Sequence, residues 1–109
     1  MALSRLAREH AAEIANHDWS DAHYRLDRAG HRRELDSPQG DYQPLTVKEA
    51  HCVKVNVMWV TAQVLAHADP NFDVNEFAQL CGVTGLSSGW LENGLRRDLD
   101  GNYLQAPEV

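Results

Sequence analysis

Apolar residues along this chain recur at helical steps, and polar or glycine- and proline-rich breaks separate the runs. Leu3, Leu6, Ala7, Ala11 and Ile14 follow one another at spacings of three and four. That spacing predicts a helix from about Leu3 to Asn16 with one buried face. The phase then changes. Trp19, Ala22, Leu26 and Ala29 form a second stripe that does not continue the first. They predict a helix from Trp19 to about Leu35, capped by Asp18, with Asp21 in the first turn where the helix dipole favours an acid. Gly30 is expected to fray or kink it. Ser37 to Leu45 holds Pro38, Gly40 and Pro44 and reads as a loop.

The strongest element starts at Thr46. Thr46 and Glu49 stand three apart, as a capping box requires, and the helix they open should run to His67 or Ala68, just before Asp69-Pro70. Its polar residues Glu49, Asn56 and Gln63 repeat every seven positions, with His67 near the same line. Val47, Ala50, Val53, Val57, Val60, Val64 and Leu65 cover most of the remaining surface. A helix with so narrow a polar stripe belongs in the middle of a bundle. Val53-Lys-Val-Asn-Val57 also alternates with period two, a strand-like pattern in β-branched residues. A strand needs a partner, though, and the chain offers no second run of that quality.

Asp73 and Glu76 give a second capping signal, and Phe77, Leu80 and Cys81 are expected to face inward from the helix they open. Gly82 ends it as a C′ glycine. Ser87 or Ser88 caps a last helix that carries Trp90, Leu91, Leu95 and Leu99, and Asp100-Gly101-Asn102-Tyr103-Leu104 contains a turn signal suited to a short extended arm. The expected fold is therefore all-α. It is a single domain over 1–109, a four- to five-helix bundle around a central helix at about 47–67. The N-terminal helices occupy 1–36, the loop 37–45, the central helix 46–68, a C-terminal helix pair 73–99 and the tail 100–109. The expected core comprises Leu6, Ile14, Trp19, Leu26, Val53, Val57, Trp59, Val60, Val64, Phe77, Leu80, Leu91 and Leu95.

Composition narrows the function. The 109 residues carry 16 acidic and 10 basic side chains, a formal net charge of −6. Such a field works against long-range attraction to nucleic acid. A local basic patch can still act, because screening limits distant charges to about 8 Å at physiological salt. Eight of the ten basic residues are Arg, and Ile14 is the only isoleucine. In this bias the chain resembles small proteins of actinobacteria and their phages. Lys48, Glu49, His51, Lys54, Asn56, Gln63 and His67 interrupt the longest apolar run, so no membrane span is expected. The first residues lack the apolar core of a secretory signal, and a cytoplasmic protein is expected. Cys52 and Cys81 suit neither a disulfide framework nor zinc spacing and are expected to be reduced, packed thiols.

Three constellations could carry chemistry. The first is the C-terminal pair, which resembles the helix-turn-helix family over residues 73–99. Ala78 stands where the family packs a small residue of its first helix against the second. Gly82 is the turn glycine four residues on, Val83 the buried aliphatic after it, and Leu91 the anchor of the second helix. Ser88 departs from the pattern, which usually has a buried Val or Ile there, and the turn Thr84-Gly85-Leu86-Ser87-Ser88-Gly89 is long. The resemblance implies that Ser87, Glu92, Asn93, Arg96 and Arg97 face DNA. Asn can read adenine, Arg can read guanine or phosphate, and Glu92 would repel phosphate unless it accepts from cytosine. The plainer reading is a capped helix pair that closes the bundle.

The second constellation is Arg25, Arg28 and Arg32 on one helix face beside Arg33, a candidate surface for phosphates or an acidic partner. Asp21 and Asp36 stand four residues from Arg25 and Arg32, so surface ion pairs worth about 0.2–0.5 kcal/mol each are the plainer account. The third is His17-Asp18, which resembles the His-Asp dipeptide of the HD-type metal phosphohydrolases, with His10 upstream and Asp69 or Asp73 as stand-ins for the distant ligand. His23, Asp27 and His31 also align at four-residue steps, so a surface metal site is geometrically open to them. No nucleophile motif and no phosphate-cradling glycine loop occurs, and no cofactor is implied.

The expectation is a non-enzymatic small regulatory binding protein that contacts duplex DNA through the C-terminal pair. A protein-binding module or inhibitor of a host protein, with a homodimer as one form open to it, is the alternative, and a metal-dependent hydrolase using His17 and Asp18 is the third. Trp59 and Trp90 are large for so small a bundle, and exposure of either would mark a partner or dimer surface.

Overall fold

The structure is a computed structural model and describes residues 3–23 and 43–107. Four helices account for the regular structure among these residues: α1 (Arg5–Asn16), α2 (Val47–Ala68), α3 (Val74–Leu80) and α4 (Ser88–Asn93). One antiparallel bridge, Arg97 to Tyr103, closes a C-terminal hairpin. The all-α expectation holds.

Each helix starts where a short polar side chain can satisfy its free amides. Ser4 Oγ accepts from Ala7 N at 3.1 Å to open α1. The capping box of α2 is complete: Thr46 N donates to Glu49 Oε1 at 2.9 Å, and Glu49 N donates to Thr46 Oγ1 at 3.1 Å. Residues 53–57 are helical within it. With no neighbouring strand to pair with, their period-two pattern cannot compete with a capped 22-residue helix. Asp73 Oδ1 takes the amides of Asn75 and Glu76 at α3, and Ser87 Oγ takes that of Trp90 at α4.

Leu3, Ala7, Ala11 and Ile14 make one buried line on α1, and the alanines allow close approach of its backbone to the neighbouring helices. Leu6 lies off that line and is exposed, contrary to the expected core. After α1, Trp19 Nε1 donates to Ile14 O at 3.1 Å and so satisfies a carbonyl of the helix end. Residues 20–23 form a turn, and Ser20 O accepts from Leu45 N. The rest of the helix expected to Leu35, with Leu26, lies outside the described residues.

Among the described residues, α3 meets all three other helices, whereas α2 packs on α1 and α3. The core centres on Phe77, Met58 and Cys81, with Phe72 tilted against Phe77 at a centroid distance of 5.3 Å. Helix α2 supplies Met58, Ala62, Leu65 and Ala66 to this core. Val60 and Val64, expected inside, are 71% and 61% exposed. The neighbours of α2 approach from the Met58 side, so its opposite side gains no cover from them. Leu80 is also more exposed than expected, because α3 reverses direction right after it.

The last helix is shorter than the expected run to Leu99. It stops at Asn93. A Cβ on Gly94 would come within 2.2 Å of the Trp59 ring, so only glycine lets the backbone pass the indole here. Leu95 is then buried, and the chain enters the hairpin, whose tip leaves Leu99 in solvent. The tip is a four-residue turn closed by Gly101 N to Asp98 O at 3.1 Å, with Gly101 at φ +84° and Asp98 N donating to Asn102 O at 2.9 Å. This is the arm foreseen from the Asp-Gly-Asn turn signal.

Candidate functional site

The α3–turn–α4 unit is built from the four positions that carry its resemblance to helix-turn-helix proteins. Ala78, Val83 and Leu91 are all buried. Gly82 takes φ +80°, Val83 N donates to Ala78 O at 3.0 Å and Gly82 N to Gln79 O at 3.0 Å. This pair of bonds is a Schellman ending, with Gly82 as its left-handed residue. The connection 81–87 is pinned to α2: His51 Nε2 lies 3.0 Å from Thr84 O and 3.4 Å from Thr84 N. One tautomer of the ring donates to that carbonyl and the other accepts from that amide.

Of the five residues the resemblance assigns to DNA, three are engaged within the fold. Ser87 caps α4. Glu92 Oε1 accepts from Asn75 Nδ2 at 3.2 Å and from Ser88 Oγ at 3.4 Å. Arg97 Nη2 donates to Tyr103 Oη at 2.8 Å and to Glu92 O at 3.4 Å, with its guanidinium 4.6 Å from the Tyr103 ring centroid. The Asn93 and Arg96 side chains are exposed and have no hydrogen-bond or ion-pair partner among the described residues. Trp90 is 71% exposed. It borders a shallow hollow of about 380 Å³ lined by Ser87, Gly89, Trp90, Asn93 and Gly94. The outward side of α4 therefore joins a large aromatic face to a free amide, with a free guanidinium just beyond.

Gln63 holds the C-terminal hairpin to α2, although its place in the polar repeat of α2 reads as surface. It is 7% exposed. Its Nε2 donates to Arg96 O at 3.1 Å and to Leu104 O at 2.8 Å, and its Oε1 accepts from Arg96 N at 2.7 Å. One turn on, His67 Nδ1 lies 3.2 Å from Tyr103 O and donates to it. The seven-residue repeat of polar positions on α2 was the signal available. What it marked is partly the seat of the C-terminal hairpin.

The thiols differ from expectation in one case. Cys81 is buried, and loss of solvation pushes its pKa to about 11 despite the opposing pull of Lys54. It is a packing thiol. Cys52, expected to be packed, is exposed, because it lies to one side of the core face of α2. Arg25, Arg28, Arg32 and Arg33 lie outside the described residues, as do Asp27 and His31 of the histidine row. The His17 ring packs tilted against Trp19 at a centroid distance of 4.3 Å, and Asp18 Oδ1 accepts from Ser20 N at 2.9 Å. Among the described residues no three His, Cys, Asp or Glu side chains come together as a metal site would require, and no helix is long and apolar enough to cross a membrane.

No protein-family model, curated protein or solved structure matches the chain.

Proposed function

We propose that this protein is a non-enzymatic binding module that engages a protein partner through the outward side of α4, with Trp90 as the anchor. The exposure of Trp90 beside a hollow edged by Asn93 carries this reading. Aromatic anchors with polar rims dominate the energetics of protein interfaces, and a 71% exposed indole on a six-residue helix contributes little to the fold itself. The acidic net charge suits a protein partner with a basic rim. The test is capture of partners on immobilised wild-type protein and on Trp90→Ala. A specific partner retained by wild type and lost by the variant supports the reading; equal retention by both sinks it.

Duplex DNA is the second reading, favoured by the helix-turn-helix-like packing of Ala78, Gly82, Val83 and Leu91 together with the unpartnered Asn93 and Arg96. Anisotropy of a labelled random duplex at low and moderate salt separates the two. DNA contact predicts binding that weakens steeply with salt and is reduced by Arg96→Ala. Absence of binding at low salt removes this reading.

A further inference from the structure

A second hollow opens between the start of α3, the end of α4 and the C-terminal hairpin, and it carries charges of both signs. It measures about 430 Å³, and Asp73, Asn75, Glu92, Arg97 and Tyr103 are among the residues that line it. That volume falls within the range of about 300–1,000 Å³ typical of small-molecule clefts. The hollow shares no residue with the one beside Trp90.

The unlike charges line one hollow and yet do not pair. Among the described residues the only ion pairs are Arg5–Glu9 and Arg8–Glu76. Neutral groups hold each charged side chain instead. Arg97 Nη2 donates to Tyr103 Oη at 2.8 Å and to Glu92 O at 3.4 Å. Glu92 Oε1 accepts from Asn75 Nδ2 and Ser88 Oγ, and Asp73 Oδ1 accepts from the amides of Asn75 and Glu76. Arg97 Nε and Nη1, Glu92 Oε2 and Asp73 Oδ2 are left without a partner among the described residues. A simple anion here meets two carboxylates, and a simple cation meets a guanidinium. A molecule that carries both signs a few bonds apart can make a charge-assisted hydrogen bond to each.

We propose that this hollow binds a free α-amino acid as its zwitterion, with the ammonium on Glu92 and Asp73 and the carboxylate on Arg97. The proposal does not rest on the Trp90 reading above. The three charged side chains are held before the ligand arrives, so little ordering opposes binding. Phe72 lines the same hollow, so a neutral ligand side chain finds apolar contact there and a charged one does not.

The test is a titration of the full chain with the neutral L-α-amino acids, followed by backbone amide NMR shifts. Saturable binding of at least one of them at millimolar concentration is expected, with shifts centred on residues 71–75, 92, 97 and 103. N-acetylation of that ligand removes its positive charge, and conversion to the carboxamide removes its negative one. Each change should weaken binding about ten- to a hundredfold, and neither touches the protein. Glu92→Gln keeps an acceptor for Asn75 and Ser88, and should weaken binding of the parent ligand about tenfold. The site is overturned by no saturable shift with any of these amino acids, by shifts centred elsewhere, or by equal binding of the acetylated ligand. Unchanged affinity in Glu92→Gln overturns it as well.

Discussion

The two sides of α2 are made of the same kind of residue and meet different fates. Met58, Ala62, Leu65 and Ala66 are buried against α1 and α3, while Val60 and Val64 stand in solvent on the other side. Hydrophobic character alone does not choose between them. Small residues help to choose: α2 packs on α1, and the buried positions include Ala62 and Ala66 on α2 and Ala7 and Ala11 on α1, side chains that allow close approach of two helices. Branched valines on the far side keep a neighbour farther off. The contrast teaches that burial in this fold follows the complementarity of facing surfaces.

Five measurements break or sharpen that contrast. Met58→Ala should cost about 2–5 kcal/mol in denaturant unfolding, because it opens a cavity where the side chain is fully buried. Val60→Ala, measured where the chain is dilute, should cost far less. Gln63→Leu removes all three bonds to the hairpin. With Arg96 N and Leu104 O unpaired and Arg96 O left with the Leu104 amide alone, a loss of about 2–3 kcal/mol is expected, together with faster amide exchange at Asp98 and Leu104. Unchanged exchange there would show that the hairpin docks without the glutamine.

Gly94→Ala drives a methyl into the Trp59 ring and should cost about 1–3 kcal/mol, with a shifted indole emission. Thr46→Ala should cost about 1 kcal/mol through loss of the α2 cap. Thr46 also holds the Glu49 carboxyl below the usual carboxylate range, through its backbone amide first and its hydroxyl second. A depressed folded-state pKa adds stability above the unfolded pKa, and that stability is lost as pH falls through the folded value. Thr46→Ala removes the hydroxyl's share and keeps the amide, so it should flatten the acid limb of the stability profile only in part, read by thermal melts across the carboxylate range. Asp98, held low chiefly by the Asn102 amide, should keep its own share in that variant. Smallest of all, Val64→Thr should change the stability of dilute protein by no more than about 0.5 kcal/mol, as expected for a solvated site. A larger loss would mean that the valine face is already covered.

Much of the local structure was legible because its causes are local. Ser87 and the Thr46, Asp73 and Gly82 signals each act within four residues, and the helix starts and the α3 ending follow them. The Asp98–Asn102 turn is local in the same way. The early end of α4 at Asn93 was not legible, and neither was the reason position 94 admits only glycine, the Trp59 ring 35 residues earlier in the chain. The outward surface around Trp90, Asn93 and Arg96 was visible in the residue types. The engagement of Arg97 and Glu92 was not, since their partners Tyr103 and Asn75 are set by how the hairpin and α3 come together.

By itself the sequence determined the helical class, the caps and the residues able to turn, since these depend on amides and side chains a few positions apart. Only the tertiary structure decided which side of α2 is core and that Gln63, one of a row of surface-like polar residues, is a buried clamp. Both depend on which surface arrives opposite, and that is a property of the packed chain as a whole.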